Sequence, residues 1–213
     1  IVERDLRLAE LTGVHYHVSN VSTKETVEVI KRAKLNGIKI TCDTSPPYFS
    51  LNELELSTYD TSFKLSPPLR NEEDRIAIQN AIFDDTIDII TSDHKPMSND
   101  TKILPFTSAS TGASGIETLL PLTLNLLNKS DVSIMNILKK ITLNPSKLFK
   151  VEIPKIKSNE KANFIIFDPN EQYLINKDLL QTSPTPFHGR PVQGKNYMSM
   201  MNGEIVFDNL DLL

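Results

Sequence analysis

The chain has 213 residues, 39% of them hydrophobic and 23% charged, enough for one large domain or two small ones around a real core. Its 23 Lys and Arg against 27 Asp and Glu give a formal charge of −4 without long runs of one sign, which excludes the basic footprint of a nucleic-acid or anionic-membrane partner. A single cysteine, Cys42, excludes an internal disulfide framework and a cysteine-built zinc site, and no stretch approaches the ~18 apolar residues of a membrane span. Composition thus points to a soluble, cytoplasmic globular protein, with Cys42 a small buried residue of a strand.

Residues 1–13 read as the end of a helix in a chain entered mid-fold. Val2, Leu6 and Ala9 share one face, Glu3, Arg7 and Glu10 another, and Thr12-Gly13 stops the rhythm. Residues 14–19 are β-branched and aromatic enough for a short strand. Ser22-Thr23-Lys24-Glu25 is a capping box opening a helix with Val27, Ile30 and Ala33 inward and Gly37 behind it. A strand at 38–42 follows, so helix and strand alternate as in parallel α/β folds.

The stretch 43–70 is irregular, broken by Pro46-Pro47 and Pro67-Pro68, with a short strand expected at 62–65. Asn71 caps a helix running to Phe83, with Ile76, Ala77 and Ile82 facing inward. Residues 88–92 form a strand that ends in Asp93-His94. Beyond a loop through Gly112, helices are expected at 116–127 and 133–142, the second with Ile134, Ile137, Leu138 and Ile141 as its buried stripe. From Val151 onward the chain reads as a β-rich module: a strand at 162–167 closed by Asp168-Pro169, a Pro-rich loop at 183–191, and a hairpin turning at Asn202-Gly203. The domains expected are therefore 1–150 and 151–213.

In parallel α/β folds the chemistry sits at the C-terminal ends of strands. Asp93 is delivered to such an end beside His94, where a carboxylate can ligate a metal, act as a general base, or merely cap a turn. His15 and His17 face one side of their strand, a metal-binding spacing that still needs a third ligand; packing is the alternative. Gly112 and Gly115 bracket a helix start that can offer N–H groups to an anion. The acidic run 71–74 suits compensation of a helix dipole, and His188 suits an exposed loop.

At these strand ends the sequence resembles the dihydroorotase family of amidohydrolases. Thr12-Gly13 through His17 to Val21-Ser22-Thr23 resembles T-G-x-x-x-H-x-x-H-V-S-T, and 41–49 is similar to T-x-E-x-T-P-x-H-L. Residues 65–75 resemble V-N-P-P-L-R-x-x-x-D-R, and 88–97 resemble D-x-I-A-T-D-H-A-P-H. Gly112 with 115–122 resembles F-G-x-x-G-L-E-T-x-L-P-L, and Asn144-Pro145 and 164–169 continue the match. The resemblance implies the second half, strands five to eight, of a (β/α)₈ TIM-type barrel followed by a small β-rich, sandwich-like module. It also implies action on the cyclic amide of dihydroorotate in pyrimidine biosynthesis, with Asp93 at the position of the metal-binding general base.

Several positions depart from the family pattern. Asn20 and Tyr48 stand where the family has metal-binding histidines. Gly112, Ser66 and Met97 fall at substrate-binding positions, the last two substituted. The first-strand H-x-H is absent, and His17 aligns with the non-ligand histidine of strand five. Without a metal, water keeps a pKa of ~15.7 instead of about 7. A lone Asp93 would supply about 10²–10⁴-fold where enzymes need ~10⁶ or more. The expectation is a dihydroorotase-like protein without metal, without hydrolase activity and retained as a structural partner of aspartate carbamoyltransferase. The alternative is an active zinc-dependent cyclic-amide hydrolase using Asp93 and ligands from an N-terminal segment of its own chain. A half-barrel would expose raw sheet edges, so that segment is expected to have been removed or to remain associated.

Overall fold

Three strands, each preceded by a helix, form a parallel sheet in the computed structural model, which describes residues 1–176 and 184–209. Helix α1 (Val2–Thr12) buries Leu6 and Ala9 and stops at Gly13, whose φ of 69° is the left-handed conformation a helix end requires. Strand β1 (Tyr16–Val18) leads to α2 (Lys24–Leu35), which buries Val27, Ile30 and Ala33 as its spacing requires. Its cap is one residue later than the capping box suggests: the Thr23 hydroxyl accepts the N–H of Thr26, while Ser22 Oγ accepts from Arg70.

Strand β2 (Ile40–Thr44) pairs in parallel with β1, Tyr16 opposite Ile40 and Val18 opposite Cys42. Cys42 is fully buried, and burial pushes its thiol up to about 12, so it is the inert strand residue expected. After α3 (Pro46–Ser50), the strand expected at 62–65 is not formed. The Asp60 carboxylate accepts the N–H of Ser62 and closes a 3₁₀ turn, Thr61–Phe63, instead. Helix α4 (Glu72–Phe83) starts at Asn71, whose side chain accepts the N–H of Asp74. Its buried stripe is Ile78, Ala81 and Ile82, whereas Ile76, expected inward, is 44% exposed. Strand β3 (Ile89–Ile90) then pairs directly with β2.

Beyond β3 come α5 (Asn99–Lys102) and α6 (Ile116–Leu124), the latter tightening into a 3₁₀ segment, Asn125–Lys129, rather than running on as α-helix to 127. Helix α7 (Ile134–Ile141) is capped by Ser133. Of the stripe expected on α7, Ile137 is fully buried and the others only partly; Lys140 is buried with it, donating to Ile87 O and Asp85 Oδ1 at 2.7 Å each. Helix α8 (Leu143–Phe149) was not legible, because Pro145 hides in its first turn, where proline is tolerated.

A second, antiparallel sheet has the order β4 (Phe164–Leu174), β5 (Pro191–Met201), β6 (Glu204–Asp208). Asp168-Pro169 does not end β4; the register shifts between Asp168 and Gln172 and the strand resumes. Asn202 and Gly203 both have positive φ, 53° and 87°, which is the type I′ turn the dipeptide favours. Ser183, the first residue of the expected Pro-rich loop, lies outside the described residues; within the rest, Phe187 is buried and His188 exposed. Ile175, Phe187 and Val192 join one core with Ile82, Leu122 and Leu126. Among the described residues no helix is long and apolar enough to cross a membrane.

Candidate functional site

Because β1, β2 and β3 run in parallel, their C-terminal ends open on one side, bringing Asn20, Asp43 and Asp93 together. Asn20 and Asp93 both take left-handed backbone conformations, φ 55° and 44°, which Asn and Asp tolerate best among non-glycine residues. These turns aim both side chains into the space between the strand ends.

The Asp93 side chain is 10% exposed, and its Oδ1 oxygen has two donors among the described residues. Lys95 Nζ lies 2.7 Å from it, and Asn20 Nδ2 donates to it at 3.2 Å. The Asn20 N–H donates to Asp43 Oδ1 at 2.8 Å, whereas the Asn20 side-chain oxygen is buried without a hydrogen-bond partner among the described residues. Asp43 Oδ2 lies 2.9 Å from His17 Nε2. His17 Nδ1 and His15 Nε2 both reach Thr41 Oγ1, at 2.7 and 3.1 Å. The two histidines do face one side, and their partners are a threonine hydroxyl and a carboxylate already shared with the backbone.

Tyr48 is buried, and its hydroxyl donates to Pro67 O at 2.9 Å. Burial, with the Asp93 charge next, pushes the phenol well above its ordinary range, so it remains a donor and no anionic ligand. His94 is turned away from Asp93: its Nδ1 accepts the N–H groups of Gly115 and Ile116 at 3.2 and 3.3 Å and caps α6. Four N–H groups at the Gly112–Gly115 turn are already engaged: Gly112 N–H donates to Lys64 O, Ser114 N–H to Pro184 O, and those of Gly115 and Ile116 to His94 Nδ1, which leaves them none to offer an anion.

Gly112 serves close approach instead. At φ 125°, a Cβ there would stand 2.6 Å from Lys95 O and 3.2 Å from the Met97 methyl. Ser66 is exposed, and no hydrogen bond joins it to Asp93. The cavity bounded by Asp93, Ser92, Leu65, Ser114 and Phe187 has a volume of about 10 Å³, room for a water at most. A larger one, about 220 Å³, lies elsewhere, between Phe49, Leu126, Phe187 and Arg190.

The donor set does not fit the zinc that the motifs imply. Zinc takes imidazole, thiolate or carboxylate ligands in a compact tetrahedron. Among the described residues no group of three His, Cys, Asp or Glu side chains can hold a metal ion. An amide, a phenol directed at a carbonyl, and a carboxylate paired with Lys95 meet at the strand ends. Sequence reasoning passed over Lys95 and Asp43. Their signal was present in the motifs, where Lys95 replaces the alanine of D-H-A-P-H and Asp43 replaces a glutamate.

The amidohydrolase family model matches residues 2–206. The dihydroorotase of Anaplasma phagocytophilum (strain HZ) is 36% identical over 97% of this chain and 47% of its own length. The structure of an L-hydantoinase (dihydropyrimidinase) from Arthrobacter aurescens superposes with a TM-score of 0.89 at 26% identity, covering 100% of this chain and 49% of that one. The inactive dihydroorotase-like domain of a Chaetomium thermophilum CAD-like multifunctional protein shares the fold, with a TM-score of 0.74 at 19% identity over 98% of this chain and 56% of that one. The chain spans about half the length of the curated relatives it matches.

Proposed function

This chain belongs to the amidohydrolase family, and from that premise we propose that it is part of a dihydroorotase-like protein of pyrimidine biosynthesis that has given up metal-dependent hydrolysis. The observation that carries this reading is the state of Asp93. In the resembled enzymes that carboxylate faces a metal held by histidines; here Oδ1 faces the Asn20 amide and the Lys95 ammonium. The side chains at these strand ends do not make up a zinc ligand set. Met97 further stands where the resemblance implies a histidine in contact with a substrate carboxylate, and Ser66 where it implies an asparagine.

What the fold retains is the scaffold: the strand order, the His17–Asp43 pair and the Gly112 turn. A scaffold kept without its reactive centre suits a role in assembly, and the partner we propose is aspartate carbamoyltransferase, in the cytoplasm. The natural full-length polypeptide is the material for the test. Purified protein is expected to lack stoichiometric zinc, to leave dihydroorotate unchanged, and to elute with the carbamoyltransferase as one complex. Stoichiometric zinc with turnover abolished by Asp93→Asn would establish the active alternative, and separate elution would remove the partnership.

A further inference from the structure

We propose that Lys95 is a built-in counter-ion that holds divalent metal off the strand-end site, its ammonium occupying the electrostatic place of the cation at Asp93. This rests on the reading above and assigns its cause to one residue. Three observations support it.

The first is position. Lys95 is two residues beyond Asp93, and its Nζ returns to Oδ1 at 2.7 Å. A tethered cation is always present at its site, whereas a metal ion must arrive from solution and displace it. The second is burial. The Asp93 side chain is only 10% exposed, so water is kept from the carboxylate, although the Lys95 side chain, 47% exposed, remains open to solvent screening. The Gly112 turn fixes this geometry, since a side chain at 112 would strike the Lys95 carbonyl.

The third observation concerns the acceptor left over. Asn20 Oδ1 is buried beside this carboxylate and has no donor among the described residues. Such an atom is an incomplete site, because a buried acceptor ordinarily finds a donor or a cation. Without Lys95, Asp93 and Asn20 would offer oxygen ligands alone. That set suits a hard divalent ion such as Mn²⁺ better than zinc. The structure thus separates two effects: Asn20 and Tyr48 remove the preference for zinc, and Lys95 removes affinity for divalent ions in general.

The test uses the natural full-length polypeptide and titrates MnCl₂ and ZnCl₂ by calorimetry, with melting followed in parallel. Wild type is expected to bind neither ion at Asp93. Lys95→Met is expected to bind Mn²⁺ with a Kd at least about tenfold below the weakest binding the titration would detect in wild type, with a matching rise in melting temperature. That gain is expected to vanish when Asp93→Asn is added, and Lys95→Arg is expected to behave as wild type. A folded Lys95→Met protein with no gain, or a gain that survives Asp93→Asn, overturns the proposal. If Lys95→Met does not fold, Lys95→Gln replaces it, because its amide can still reach Asp93 without the charge. Failure of both to fold assigns Lys95 to structure alone and also overturns it. Wild type carrying zinc and turning over dihydroorotate would sink the underlying reading, whereas metal-free wild type with an unresponsive Lys95→Met sinks only this inference.

Discussion

The Nδ2 amide of Asn20 donates to Oδ1 of Asp93 across 3.2 Å, tying the end of the first strand to the end of the third. A histidine at position 20 would offer a nitrogen lone pair to a metal; the asparagine offers a hydrogen to the carboxylate. The two strand ends are therefore joined by a hydrogen bond where the resemblance implied a shared ion.

Asn20→Asp sets a carboxylate against Asp93 with Lys95 as their shared cation. It is expected to destabilise the protein by at least about 2 kcal/mol, through like-charge contact and loss of the donated bond. Urea unfolding measures this, and wild-type stability in the variant would disprove the tie.

Tyr48→Phe preserves the buried ring and deletes one hydroxyl, leaving the Pro67 carbonyl without that donor. The expected loss is about 1–3 kcal/mol with an unchanged urea dependence. A neutral effect would show that water or another donor takes over.

Lys140 has a 2% exposed side chain, and its carboxylate partner Asp85 is 84% exposed. Asp85→Asn leaves a buried ammonium supported mainly by the Ile87 carbonyl and is expected to cost about 1–2 kcal/mol. Adding Lys140→Met removes the stranded charge, so the double variant is expected to be no less stable than Asp85→Asn alone. Simple additivity in the double-mutant cycle would count against this.

Arg75, with Asn52, holds the Glu72 carboxyl at about 2, below its ordinary value of 4.5. A depressed carboxyl stabilises the fold above its unfolded value and loses that contribution as pH falls through the folded value. The stability difference between wild type and Glu72→Gln is therefore expected to shrink between pH 4.5 and about 2. Glu72 is half exposed, so solvent screening keeps the difference small. A gap that stays constant across that range would contradict the assignment.

Local signals that rest on one or two residues were well read from sequence. Asn71 caps its helix, Gly13 ends another, and Asn202-Gly203 turns the hairpin. Signals that depend on phase or competition were not. Ile76 is apolar but sits outside the Ile78–Ala81–Ile82 stripe, and Ser22 lost the capping role to its neighbour Thr23. Residues 62–65 looked strand-like, yet the Asp60 carboxylate offered the backbone a turn. At the candidate site the motifs located Asn20, Tyr48 and Asp93. Lys95 stayed hidden because its return to Asp93 depends on a left-handed residue and on Gly112, 17 residues beyond Lys95 in sequence.

The glycine at 194 has its own effect. With no side chain there, Leu124 rests directly on the backbone of β5, and beside it Asn125 accepts from Gln193 N–H. The β4–β5–β6 sheet is thus keyed to α6 by shape as well as by hydrogen bonds. Loosening either body exposes the other's apolar seam, so amide protons on both sides should lose their protection together, in a single cooperative melt rather than in stages.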